Sequence, residues 1–258
     1  MKSYILTTVL AAATAAMALP AGAGPDVCGP NSNCEIKEID GEITYVFKEG
    51  MGPGSSDYQK RFLALSEGSL TRRAEIKTAL YISKQKMEWG CRASVYNAVA
   101  NTIENKCQGE VGTCETWSKS TFPVQWVKKS GNGIPVQREL SINVDGVYPD
   151  TAARDNLKQA ILATINYDTT EERSIRWASA SQRENLGGLC PMKLFANSVA
   201  VTRFENGNMK DNMKFEARMG DSEDSCLVKG VVDSVVGSIN GIADGFFGAV
   251  AAVSGYCK

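Results

Sequence analysis

The carboxy-terminal run from Leu227 to Lys258 constrains the fold of this chain most strongly. Between Cys226 and Cys257 it is apolar, glycine-spaced and almost free of charge. Val228, Val232, Val235, Ile239, Ile242, Phe246, Val250 and Val253 recur at steps of three and four, the period of a helix with one apolar seam. The spacing predicts a helix over 227–253. Gly237, Gly241 and Gly245 repeat every fourth residue, so they share one side of it and admit a second backbone at close range. Each glycine weakens a helix by about 1 kcal/mol relative to alanine. Either tight burial in the fold or contact with a membrane must offset that cost. At 1.5 Å per residue the helix would be about 39 Å long, enough to cross a hydrocarbon core of about 30 Å. Asp233 and Asp244 lie on about the same side, a polar stripe suited to solvent or to a pore lining. Gly237, Gly241, Asp244, Gly245, Phe246 and Phe247 are therefore the candidate membrane-contacting residues.

The amino terminus sets the compartment. Lys2, an apolar region from Tyr4 to about Ala18 and the small residues Ala21-Gly22-Ala23 make residues 1–23 a secretory signal peptide. The tail, ending Tyr256-Cys257-Lys258, lacks the uninterrupted hydrophobic end of a lipid-anchor signal. The chain is expected to be secreted and extracellular. Cys28, Cys34, Cys91, Cys107, Cys114, Cys190, Cys226 and Cys257 all follow the signal, and an even number in an exported chain predicts four disulfides. Zinc is the weaker reading, because the chain has no histidine and no CxxC spacing. Connectivity stays open, except that Cys91 and Cys107 end one predicted helix, about 24 Å apart, and cannot bond to each other.

Between these ends the pattern is mixed. Glu42–Lys48 alternates as a strand, and Glu49–Ser56, rich in glycine, proline and serine, reads as a linker. Thr71–Met87 is charged and roughly helical, although Ala79–Ser83 has strand character. Cys91–Lys106 is a cleaner helix, with Val95, Val99 and Ile103 on one face. Thr121–Val127 and Val136–Val144 read as strands. Pro149-Asp150-Thr151 starts a helix that buries Leu157, Ile161 and Ile165. Lys193–Phe204 and Met213–Met219 flank Glu205-Asn206-Gly207-Asn208, a hairpin signal. The expected fold is α+β: an antiparallel sheet with helices packed on one face, an α/β sandwich braced by disulfides and closed by the long glycine-spaced helix. Residues 24–73 form an amino-terminal segment and 74–258 the α+β domain.

Chemistry is conspicuous by what is missing. Without histidine, Ser-His-Asp and Cys-His hydrolases and histidine-ligated metal sites are excluded. Two carboxylates suffice for a glycosidase, and Asp145, Asp150, Asp168, Glu171 and Glu172 are the candidates, though such acids more commonly solvate a surface or cap a helix. No nucleophile elbow or phosphate-cradling glycine loop is present. A formal net charge of −1 gives no basic surface for nucleic acid. The expectation is a non-enzyme with no cofactor and no metal. Of the basic doublets, Lys60-Arg61 and Arg72-Arg73 bracket a short segment just after the linker, where an exposed loop would be cut readily. Cutting there would yield subunits joined by disulfides.

In this organisation, with a signal peptide, the dibasic sites Lys60-Arg61 and Arg72-Arg73, several cysteines and a Gly/Ala/Val-rich apolar helix, the chain resembles the fungal killer-toxin precursors, particularly the salt-mediated killer toxin and related α/β-sandwich toxins. It departs from them by placing the apolar helix last. Cysteine-rich secreted effectors of plant-associated fungi look similar at this level. The resemblance implies a secreted protein that disturbs a target cell's membrane or surface. The alternative is an effector that binds a host protein or cell-wall glycan through exposed loops near Trp126 and Asn206.

Overall fold

Alternating apolar residues drive most of the chain into strands, and a computed structural model describes residues 28–39, 42–68, 75–83, 85–110, 112–127, 135–166, 169–177, 188–219, 225–226, 239 and 246–253. The fold is α+β, with mostly antiparallel sheets and three helices among the described residues. β1 (Cys34–Ile39) and β2 (Glu42–Phe47) make a hairpin. Turns carrying Gly50 and Gly54 at positive φ lead from it into α1 (Ser56–Gly68).

The larger sheet runs in the order β13 (Ala249–Val253), β3 (Ile76–Ile82), β10 (Ser198–Glu205), β11 (Asn208–Met219), β7 (Val136–Tyr148). Along the outer edge of β7 lie β5 (Gly112–Thr113) and β6 (Ser120–Trp126). Only β13 is parallel to its neighbour. The smaller sheet runs β12 (Ser225–Cys226), β4 (Gln85–Cys91), β9 (Gly188–Ala196), β8 (Glu171–Trp177). The sheets share their chains, since β3 leads into β4 and β9 into β10. At this corner the Ser83 amide donates to the Ser198 carbonyl at 2.9 Å, and the Asn197 amide to the Gln85 carbonyl at 3.0 Å. These two bonds carry the ladder round the corner.

The Asn206-Gly207 dipeptide closes the β10–β11 hairpin with both residues at positive φ, as a tight two-residue turn requires. α2 (Val95–Lys106) and α3 (Thr151–Ala163) start at side-chain caps, Ser94 and Asp150. They pack on the larger sheet through Val99, Ile103, Leu157 and Ile161, all fully buried. Each contributes about 1.5–3 kcal/mol. Trp89, Phe195 and Phe215 join the smaller sheet to the same core.

Alternation places Phe204 on the face opposite Val199 and Val201, and a bulge between Arg203 and Phe204 brings Met209 opposite it to that face, where Tyr45 packs on Phe204 at 5.0 Å. Asn33, fully buried, donates to the Met209 carbonyl and accepts from its amide, both at 2.8 Å, in the manner of a strand edge. The amino-terminal hairpin is thereby fastened to the sheet.

Three disulfides lie among the described residues: Cys28–Cys34, Cys91–Cys190 and Cys107–Cys114. Cys226 belongs to β12 and Cys257 lies outside the described residues. Because Cys28 pairs within the amino-terminal segment, a cut at Lys60-Arg61 or Arg72-Arg73 leaves no bridge across it, and the expectation of disulfide-linked subunits needs that correction.

The end of the predicted 227–253 helix is also corrected. Residues Ala249–Val253 form a strand, not the last turns of a helix. β3 offers a free edge, Val250 and Val253 are β-branched, and Gly248 turns the chain at φ +57° where any Cβ would sit 2.1 Å from the Ile76 carbonyl oxygen. Gly237, Gly241, Asp244 and Gly245 lie outside the described residues. Phe247 and Ile239 are buried in the main core and Phe246 is half-buried against it. Among the described residues no helix is long and apolar enough to cross a membrane. The helical reading of Thr71–Met87 likewise gives way to β3, which carries the continuous apolar run Ala79–Ile82, and β4, where Met87, Trp89 and Cys91 alternate. Cys91 ends β4 rather than opening α2, and the helix begins four residues later.

Candidate functional site

A cleft of about 730 Å³ opens where the smaller sheet meets the start of α2 and the end of α3. Each wall has a local cause. On one side the Ser94 hydroxyl caps α2, accepting from the Asn97 amide at 3.2 Å, and this turn presents Tyr96, 48% exposed, at the rim. The start of α2 is held down by the Cys91–Cys190 bridge and by the Arg92 amide, which donates to the Pro191 carbonyl at 2.9 Å.

The opposite wall is the turn after α3. The Thr169 hydroxyl donates to the Thr164 carbonyl at 2.6 Å and accepts from the Asn166 amide at 2.9 Å, while the Asn166 side chain accepts from the Thr169 amide at 3.1 Å. These reciprocal bonds fix the loop without regular structure. Ile165, Asn166 and Thr170 face the cleft from it.

The floor carries two lysine–glutamate pairs. Lys86, almost fully buried on β4, donates to Glu171 on β8 at 3.2 Å, and Arg173 donates to the same carboxylate at 3.0 Å. Lys193 on β9 pairs with Glu172. Partial burial pushes the Glu171 carboxyl up, but the bonds from Arg173 and Lys86 outweigh it and hold it below the ordinary carboxylate range. Glu171 is thus an ionised counter-charge, not a proton donor. The four charged residues that line the cleft sum to zero, and Arg173, bonded to Glu171, adds one positive charge beside them.

The other sequence candidates fall elsewhere. Asp150 is spent on the α3 cap, bonded to the Ala153 amide at 2.7 Å. Asp145 is exposed on β7, and Asp168 lies outside the described residues. Lys60 is exposed in α1, while Arg61 bonds Asp57, the Asn31 carbonyl and Asn208. Arg72 and Arg73 lie outside the described residues. Trp126, expected near an exposed loop, is buried, and its indole donates to buried Glu88 at 2.5 Å. Asn206 is exposed at the hairpin tip.

Sequence reading missed Lys86, Tyr96, Asn166, Thr170 and Lys193 as a group. They come from separate elements, and no local motif could unite them. Among the described residues no cluster of histidine, cysteine or acids could hold a metal. The chain matches no family model, no curated protein and no solved structure.

Proposed function

We propose that this is an exported, non-enzymatic protein of the toxin and effector type that acts by binding a molecule on a target-cell surface. The observation that carries the proposal is the cleft: it is polar, braced by a disulfide and two lysine–glutamate pairs, and within the range of about 300–1,000 Å³ usual for ligand sites. Its carboxylates are tied to lysines, which suits recognition rather than acid catalysis. We read the helices α2 and α3 on the larger sheet as the layers of an α/β sandwich, the scaffold expected from the killer-toxin likeness.

The killer-toxin-like and effector readings share surface binding and part at the next step. A toxin goes on to disturb the bilayer, whereas an effector holds a host protein or cell-wall glycan. Burial of Ile239 and Phe247 and the pairing of β13 with β3 favour the second, because these residues are committed to the fold.

Two assays on the secreted protein separate the readings. We expect saturable binding to intact fungal or plant cells and no dye release from phospholipid vesicles across pH and salt. Vesicle leakage at the concentrations that bind cells would return the account to membrane attack. Absence of binding to any cell-surface fraction would overturn the proposal.

A further inference from the structure

Resting on the binding reading above, we infer that the cleft between α2, the α3 turn and the smaller sheet takes a neutral oligosaccharide. The charge arrangement selects against an ion. Lys86 and Lys193 each have a carboxylate partner tethered in the same cleft, Glu171 and Glu172. An incoming anion would compete with a counter-charge already held at high effective concentration, and would leave a displaced carboxylate beside it. The same argument excludes a cation.

A hydroxyl faces no such competition. An ammonium carries three protons and a carboxylate two oxygens, so one salt bridge does not exhaust either group. A sugar hydroxyl both donates and accepts, and can bridge the two members of a pair without separating them. Ser94, Asn166 and Thr170 add short polar groups along the walls. The Tyr96 ring supplies the remaining requirement, a half-exposed aromatic surface at the rim against which the C–H face of a sugar ring can lie. Tyr96 sits in the first turn of a capped helix, so little conformational freedom is lost when it makes contact.

The test is calorimetric titration of the full secreted protein with neutral glucan, mannan and chitin oligomers, and with a sulfated oligosaccharide, each at low and high salt. One neutral class is expected to bind with an affinity that salt changes by less than about twofold, since no net charge is neutralised. Tyr96→Ala is expected to weaken it about fivefold to tenfold, and Tyr96→Phe to leave it nearly unchanged, because stacking needs the ring and not the hydroxyl. Lys193→Gln and Glu172→Gln, on a floor pair that is largely open to solvent, should each weaken binding without altering the thermal midpoint by more than a few degrees. Binding of only the sulfated oligomer, weakened by salt, would overturn the ligand class, as would binding of no oligomer at all. Intact-cell binding keeps this failure distinct from failure of the parent reading. If cells still bind the protein after their glycans are stripped, and Tyr96→Ala still weakens that binding, the cleft stands and the sugar falls. If Tyr96→Ala changes neither titration nor cell binding, the cleft itself is wrong.

Discussion

At the scale of single residues, buried charge and close packing set the most sensitive positions. Arg203 and Asp211 face each other across the β10–β11 hairpin, both buried, with the Arg203 Nε 3.0 and 3.1 Å from the two carboxylate oxygens. The guanidinium also lies 3.6 Å from the centre of the Phe246 ring. Burial pushes the Asp211 carboxyl up while Arg203 pulls it down. Asp211→Asn would leave the arginine uncompensated, and urea unfolding should show a loss of about 3–5 kcal/mol. Gly90 has φ +102°, and a Cβ there would stand 2.8 Å from the Val124 Cβ, so Gly90→Ala should cost about 2 kcal/mol or more.

Acid should act through two carboxylates. Hydrogen bonds from Ser118 and Lys106 hold the Glu115 carboxyl below its ordinary range, and Glu171 is held low as described. A folded-state value below the unfolded one means that the stabilisation is complete above the unfolded value, about 4.3, and is lost as pH falls through the folded one. The thermal midpoint should therefore decline on acidification below about pH 5, and Glu171→Gln should flatten that decline.

At the scale of elements, legibility followed periodicity. α3 was readable because Asp150 caps it and Leu157 and Ile161 keep a helical step. The β10–β11 hairpin was readable from Asn206-Gly207, and β6 and β7 from alternation. Short apolar runs were not: Val250 and Val253 satisfy a helical step and a strand edge alike, and only the unpaired side of β3 decides between them. The cleft was illegible because its residues converge from α2, β4, β8, β9 and the α3 turn. Register also bears on the last two cysteines. Val253 lies beside Tyr81, and Cys226 lies beside Gln85 on the same edge of the bent β3–β4 strand. The other six cysteines are paired, which leaves Cys226 and Cys257 for each other. Peptide mapping of the unreduced protein should therefore recover a Cys226–Cys257 cross-link. Separate alkylation of either thiol would contradict that.

At the scale of the whole molecule, the bridge most relevant to function is Cys91–Cys190, which joins positions 99 residues apart and anchors the start of α2 beside the cleft. Replacing both cysteines by serine should lower stability by about 4–5 kcal/mol in the chain-entropy picture and weaken cell binding with it. Processing is testable by intact mass. Cleavage after Arg61 requires unwinding α1 and breaking the bonds of Arg61 to Asp57 and Asn208, so no product cut after Arg61 is expected from the folded protein. The central claim is that the α2–α3 cleft is the recognition surface of this protein. Hydrogen exchange of the purified protein, alone and with a cell-wall fraction, tests this most directly. Protection is predicted at Ser94–Asn97, at Asn166 and Thr169–Glu172, and around Lys193; protection confined to the Asn206 hairpin tip and α1, with the cleft unchanged, would contradict it.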